Sequence, residues 1–119
     1  MTGFYYLAGP YSKLNHEQAN KAHCEAAALL KNAGITVYSP IAHGHAITTI
    51  GGLGFRDCDW WLDHCWPFAK AALGCIILTI DGWQESKGTL AEAEWFRDMG
   101  KPVIPMMPGE VPDLRSFGE

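Results

Sequence analysis

The sequence predicts a three-layer α/β domain, with a parallel sheet of four or five strands and helices on both faces. Two observations carry this expectation. Cys75 to Met106 reads strand, loop, helix, strand, and a unit this compact implies a parallel crossover. Phe4 to Tyr38 has the same strand–helix–strand order. At 119 residues the chain is expected to be one domain over residues 1–119, large enough for a real core.

Each element has a local reason. Phe4 to Ala8 is apolar without alternation, as expected for a strand covered on both faces. Gly9-Pro10-Tyr11-Ser12 turns the chain at the strand's carboxyl end. Asn15 and Gln18 fit a capping box. Ala19, Ala22, Ala26, Leu29, Leu30 and Ala33 then trace one helical face, which Gly34 closes. Ile35 to Tyr38, with Thr36–Tyr38 its firmest part, is a second strand, ended by Ser39-Pro40. Ile41 to Phe55 is the least regular stretch. It reads as a mobile loop over a ligand, with His43 as a contact and Gly51, Gly52 and Gly54 giving freedom. A polar surface loop is the plainer alternative. His43 and His45 are too few to hold a metal without a third ligand nearby.

Arg56 to Leu73 has helical character, with Pro67 as a kink or the start of a second segment. Its acids Asp57, Asp59 and Asp63 lie among Trp60, Trp61 and Trp66. Cys75 to Ile80 is the third strand, ended by Asp81-Gly82. Ser86 caps a helix over Lys87 to Met99, which Gly100 and Pro102 stop, and Val103 to Met106 is the fourth strand. The expected order is 2-1-3-4, that of a flavodoxin/Rossmann-like domain. Residues 108–119 show no periodicity.

In such sheets ligands sit beyond the carboxyl ends of the strands, where Asp81 to Thr89 must lie. Glu92 is the odd residue there. It shares a helical face with Gly88 and Thr89, and helical side chains lean toward the N-terminus. It therefore points back over a glycine toward the strand ends, whereas Glu94 lies on the other side and faces water. An ordinary solvated helix carboxylate is the alternative for Glu92, as it is for the three aspartates.

Composition excludes several functions. A net charge of −4 disfavours nucleic-acid polymers and anionic membranes as partners, but not a single nucleotide. The hydrophobic fraction is 48%, yet no apolar run approaches the ~20 residues of a membrane span. The start lacks the charged-then-apolar pattern of a secretory signal. The four cysteines form no C-x-x-C pair, and Cys24 and Cys75 fall on expected core positions. A reduced, cytoplasmic setting follows. Five tryptophans are many for a domain of this size to bury, which suggests a homodimer or higher homo-oligomer.

Asp81, Ser86, Gly88, Thr89 and Glu92, followed by Gly100-Lys101-Pro102-Val103, resemble the signature of the nucleoside 2-deoxyribosyltransferase superfamily. That superfamily includes the deoxyribonucleoside 5′-monophosphate N-glycosidases. Tyr6-Leu7-Ala8-Gly9-Pro10-Tyr11-Ser12 is similar to its first strand and nucleotide-contacting loop. The resemblance spans Phe4 to Met106. It implies cleavage or exchange of an N-glycosidic bond, with Glu92 as the carboxylate at the anomeric carbon. Asp59 matches best the acidic residue that the family carries into the sugar site from the preceding helix. Tyr6, Gly9, Pro10, Tyr11, Ser12, Asp81, Ser86, Gly88 and Thr89 would bind a nucleotide or nucleoside, without metal or organic cofactor. Ser86 stands where the monophosphate hydrolases carry serine and the free-nucleoside transferases aspartate. Gly88-Thr89-x-x-Glu92 also resembles the phosphoribohydrolases acting on ribonucleoside monophosphates. Their Pro-Gly-Gly is absent from Trp83 to Lys87. A non-catalytic nucleotide sensor is the further alternative.

Overall fold

In a computed structural model, described for residues 3–11 and 15–114, the strand–helix alternation becomes a four-stranded, all-parallel sheet. Its order is β2-β1-β3-β4. The strands are β1 (Tyr5–Ala8), β2 (Val37–Tyr38), β3 (Gly74–Leu78) and β4 (Val103–Met106). The helices are α1 (His16–Asn32), α2 (Pro40–Thr49), α3 (Cys58–Ala71) and α4 (Lys87–Asp98). The central pair holds the register Tyr5 to Gly74 through Ala8 to Ile77.

Alternation along the central strands builds two cores. Tyr5, Leu7, Ile76 and Leu78 face α1, where Ala26 and Leu30 meet them. Tyr6, Ala8, Cys75 and Ile77 face the other way, against Cys65 and Ala69 of α3 and Ala93 and Phe96 of α4. Every residue of β1 and β3 is buried, which is why neither strand alternates in sequence. This is the expected three-layer arrangement. The expected caps also form: Asn15 Oδ1 accepts from Gln18 N at 3.1 Å, and Ser86 Oγ accepts from Thr89 N at 3.3 Å.

Three expectations are corrected. The stretch read as a loop from Ile41 to Phe55 is helical through Thr49. Ser39 Oγ accepts from Ala42 N and Pro40 occupies the first turn, so a proper N-terminus exists. Pro67 starts no second segment, since it lies inside a single helix, α3, from Cys58 to Ala71. Cys24 is exposed, its Sγ directed to Asn20 Oδ1. The buried position of that turn belongs to His23, since α1 turns its 19/23/26/30 stripe to the sheet. No helix among the described residues is long and apolar enough to cross a membrane.

Candidate active site

Beyond the carboxyl ends of β1 and β3 lies a cleft of about 330 Å³. Five segments close around it. Gly9 and Tyr11 follow β1, and His16 and Glu17 open α1. The inner faces of α2 and α3 form the walls, and the start of α4 forms the floor with Ser86, Gly88, Thr89 and Glu92.

Glu92 is 7% exposed. Tyr6, fully buried on β1, donates a hydrogen bond from its hydroxyl to Glu92 Oε2. Burial pushes the Glu92 carboxyl up to about 7, an effect the Tyr6 hydrogen bond partly offsets. The Tyr6 phenol is itself pushed far up by burial and by the adjacent carboxylate, so the shared proton stays on the tyrosine. Burial and Glu92 also push the Cys65 thiol up to about 12, and burial raises Cys58. Neither thiol is a ready nucleophile.

Close approach of α4 to its neighbours depends on small residues. A Cβ on Gly88 would meet Cys58 Sγ at 3.2 Å. On the opposite side, a Cβ on Gly9 would meet the His23 ring at 2.6 Å. That ring is fully buried, with Nε2 3.3 Å from Pro10 O. Burial lowers its pKa to about 4. The neutral imidazole therefore donates Nε2–H to the carbonyl and supports the Gly9-Pro10 turn from beneath.

Ser86 Oγ accepts from both Thr89 N and Thr89 Oγ1, the latter at 2.8 Å. With both lone pairs engaged, its own O–H is left to donate. The positive end of α4 lies beside it. Arg56 lines the same cleft and stacks over Trp60 at 5.5 Å.

The structure thus gathers Gly9, Tyr11, Ser86, Gly88, Thr89 and Glu92 around one cleft, with Tyr6 directly beneath. Pro10 is buried behind it, and Ser12 lies outside the described residues. Asp59 is not brought in. Asp57 caps α3 through Trp60 N, and that register turns Cys58, Trp61, Leu62 and Cys65 to the cleft. Asp59 and Asp63 then face outward, and Asp59 pairs with Lys87 at 3.2 Å on the surface. Asp81 is exposed and outside the lining. His43 also points away: its Nε2 lies 3.3 Å from His64 Nε2, beside Phe68.

His45 takes the place expected of His43. It is 8% exposed, and it sits between Tyr11 and Glu17. His16, Glu17, Phe55, Arg56 and Trp61 are among the further lining residues to which the sequence assigned no site role. One signal was available. Ile41, Gly44, His45 and Thr48 recur at helical spacing, and all four line the cleft. Among the described residues, no group of three or more His, Cys, Asp or Glu converges as a metal site requires.

The arrangement can hold a planar ring against aromatic walls and an anionic group at the start of α4. It presents one desolvated carboxylate to whatever lies between. No curated protein matches the chain significantly. The family model of a domain of unknown function, DUF1937, matches residues 3–107, and the chain belongs to that family.

Proposed function

We propose that the protein cleaves or exchanges the N-glycosidic bond of a deoxyribonucleoside 5′-monophosphate or deoxynucleoside. The observation that carries this reading is Glu92: a buried carboxylate, held by the Tyr6 hydroxyl, at the floor of a cleft with aromatic walls. Cleavage leaves an oxocarbenium-like sugar, and a carboxylate against the anomeric carbon stabilises it or bonds to it. Glu92 takes that role. Tyr6 fixes which oxygen is free and favours the ionised form.

The Ser86 hydroxyl, the N-terminus of α4 and the Arg56 guanidinium together suit a 5′-phosphate. Lys87, although it opens α4, is not part of this subsite, because Asp59 engages it outside the cleft. The aromatic surfaces of Tyr11, His16, Phe55 and Trp61 suit the base. No metal or organic cofactor is needed for this chemistry. All four cysteines are free, in keeping with a reduced, cytoplasmic setting.

The test is incubation with the deoxynucleosides, their 5′-monophosphates and the ribonucleoside monophosphates, followed by chromatography for free base. Release from the deoxy compounds is the expected result. Release confined to ribonucleotides would identify a phosphoribohydrolase instead. A thermal shift with nucleotides but no release would identify a sensor.

A further inference from the structure

If Glu92 attends the sugar, something else must protonate the departing base. The groups available are few. Asp59 and Asp63 face away, and Glu17 and Glu92 are the only carboxylates among the lining residues. The cleft thiols are held protonated but are poor acids, because burial raises them.

We propose that Tyr11, His45 and Glu17 form a proton-delivery chain that protonates the leaving base, with the Tyr11 hydroxyl as the group touching it. This rests on the glycosidic-cleavage reading above. His45 Nδ1 lies 2.8 Å from the Tyr11 hydroxyl, and Nε2 lies 3.2 Å from Glu17 Oε1. Three separate elements meet here: the turn after β1, the middle of α2 and the first turn of α1. Both imidazole nitrogens are used, so the ring's orientation is fixed from two sides. His45 is shielded, whereas the Glu17 carboxylate is 79% exposed. The chain therefore runs from solvent to the cleft. The Tyr11 ring stacks on His16 at 4.3 Å and 11°, and His16 stacks on Phe55. A base placed along this aromatic wall has the Tyr11 hydroxyl in reach of its edge.

The proton and electron count closes. In the imidazolium form, Nε2–H donates to Glu17 and Nδ1–H donates to the Tyr11 oxygen, leaving the phenol O–H to donate to a base nitrogen. As the glycosidic C–N bond breaks, its electron pair goes to the base. The phenol proton follows, and Nδ1–H replaces it on Tyr11. Neutral His45 remains, still bonded to Glu17. When water or a second base attacks the anomeric carbon, its released proton restores the imidazolium. Tyr11 never carries a net charge, which fits a phenol whose pKa burial and Glu17 raise.

The experiment compares two substrates. One is the deoxynucleotide the wild type turns over fastest. The other is its counterpart whose base leaves without help: N7-methyl for a purine, 5-fluoro for a pyrimidine. Tyr11→Phe and His45→Gln should lose about 100-fold or more on the first substrate. They should lose only about five-fold or less on the second, since the acid is then dispensable. Glu92→Gln should be inactive on both. Equal losses on the two substrates, or no loss on either, overturn the chain while leaving the Glu92 reading intact. Slower wild-type turnover of the activated substrate contradicts it as well. No base release by the wild type from any deoxynucleotide overturns both. Tyr11→Phe keeps the ring stack, so it carries the test alone if His45→Gln does not fold.

Discussion

The Tyr6 hydroxyl donates to the Glu92 carboxylate from 86 residues away in sequence, and both groups are buried. Two elements of the central layer and its cover, β1 and α4, are thereby joined through one polar contact at the floor of the cleft. A carboxylate so enclosed is expensive to ionise unless a donor supports it. Tyr6 is that donor, and it ties the fold to the proposed chemistry.

Removing the donor should therefore alter acidity before it alters architecture. In Tyr6→Phe the ring remains packed against Phe96, whose centroid lies 5.4 Å away. The hydrogen bond that lowers the Glu92 pKa is lost, so that pKa climbs above about 7. Base release should fall roughly ten- to hundred-fold near neutrality and recover partly in alkali. The measurement is kcat/KM against pH. An unmoved acid limb would show that Tyr6 does not tune Glu92.

Glu92 and His23 should oppose each other in the pH dependence of stability. Folding raises Glu92 from 4.5 to about 7, so the native state binds that proton more tightly. Stability from this group falls as pH rises through that window. Folding lowers His23 from 6.5 to about 4, so its contribution falls as pH drops from 6.5 toward 4. Each shift corresponds to on the order of 3 kcal/mol, and the two partly cancel in the wild type. Glu92→Gln should melt higher than wild type at pH 8. Between pH 6.5 and 4 it should lose stability more steeply than wild type, because His23 then acts unopposed. Parallel melting profiles for the two proteins would contradict this.

Ser86→Asp isolates the charge of the phosphate subsite. Aspartate caps helices about as well as serine, so α4 should keep its start. The carboxylate would repel a phosphate that the Ser86 hydroxyl can serve as donor. The wild type should prefer the 5′-monophosphate over the free deoxynucleoside in kcat/KM. The substitution should weaken or reverse that preference. Better turnover of the free nucleoside by the wild type would overturn the phosphate assignment.

Self-association is expected from the outer surface. Trp60 is 46% and Trp66 36% exposed, and Trp66 meets Trp95 at 5.1 Å on the outer side of α3 and α4. Light scattering at micromolar concentration should give at least twice the chain mass of 13.1 kDa. Trp66→Glu should lower it, by placing a charge in the proposed contact. A wild-type monomer would refute the expectation.

The fold was legible because burial on both faces leaves a strong mark: the unalternating runs in β1 and β3 and the capped helices between them. Glu92 was legible for a related reason, since helical spacing alone sets it over Gly88. The wall opposite was not. Ser39-Pro40 signals a helix start, but Gly44 and the glycines at 51, 52 and 54 made the stretch look like a loop. The choice between His43 and His45 depends on which side of α2 meets the cleft, and the helical spacing that favours His45 carries no weight in a stretch taken for a loop. Asp59 failed through register. The cap falls on Asp57, and a helix started elsewhere would turn other residues inward. His23 was hidden by its place in an alanine-rich face, where a buried polar ring is not the expectation.

The most direct test of the account is base release by Glu92→Gln, measured beside wild type on the preferred deoxynucleotide at matched folding. Glutamine keeps the side chain's shape and can still accept from Tyr6, but it offers no negative charge to the anomeric carbon. The expected result is a loss of about 10³-fold or more, with the folded state retained. Retention of more than about a tenth of wild-type activity would contradict it, because no group assigned to charge stabilisation at the reacting carbon can be that dispensable.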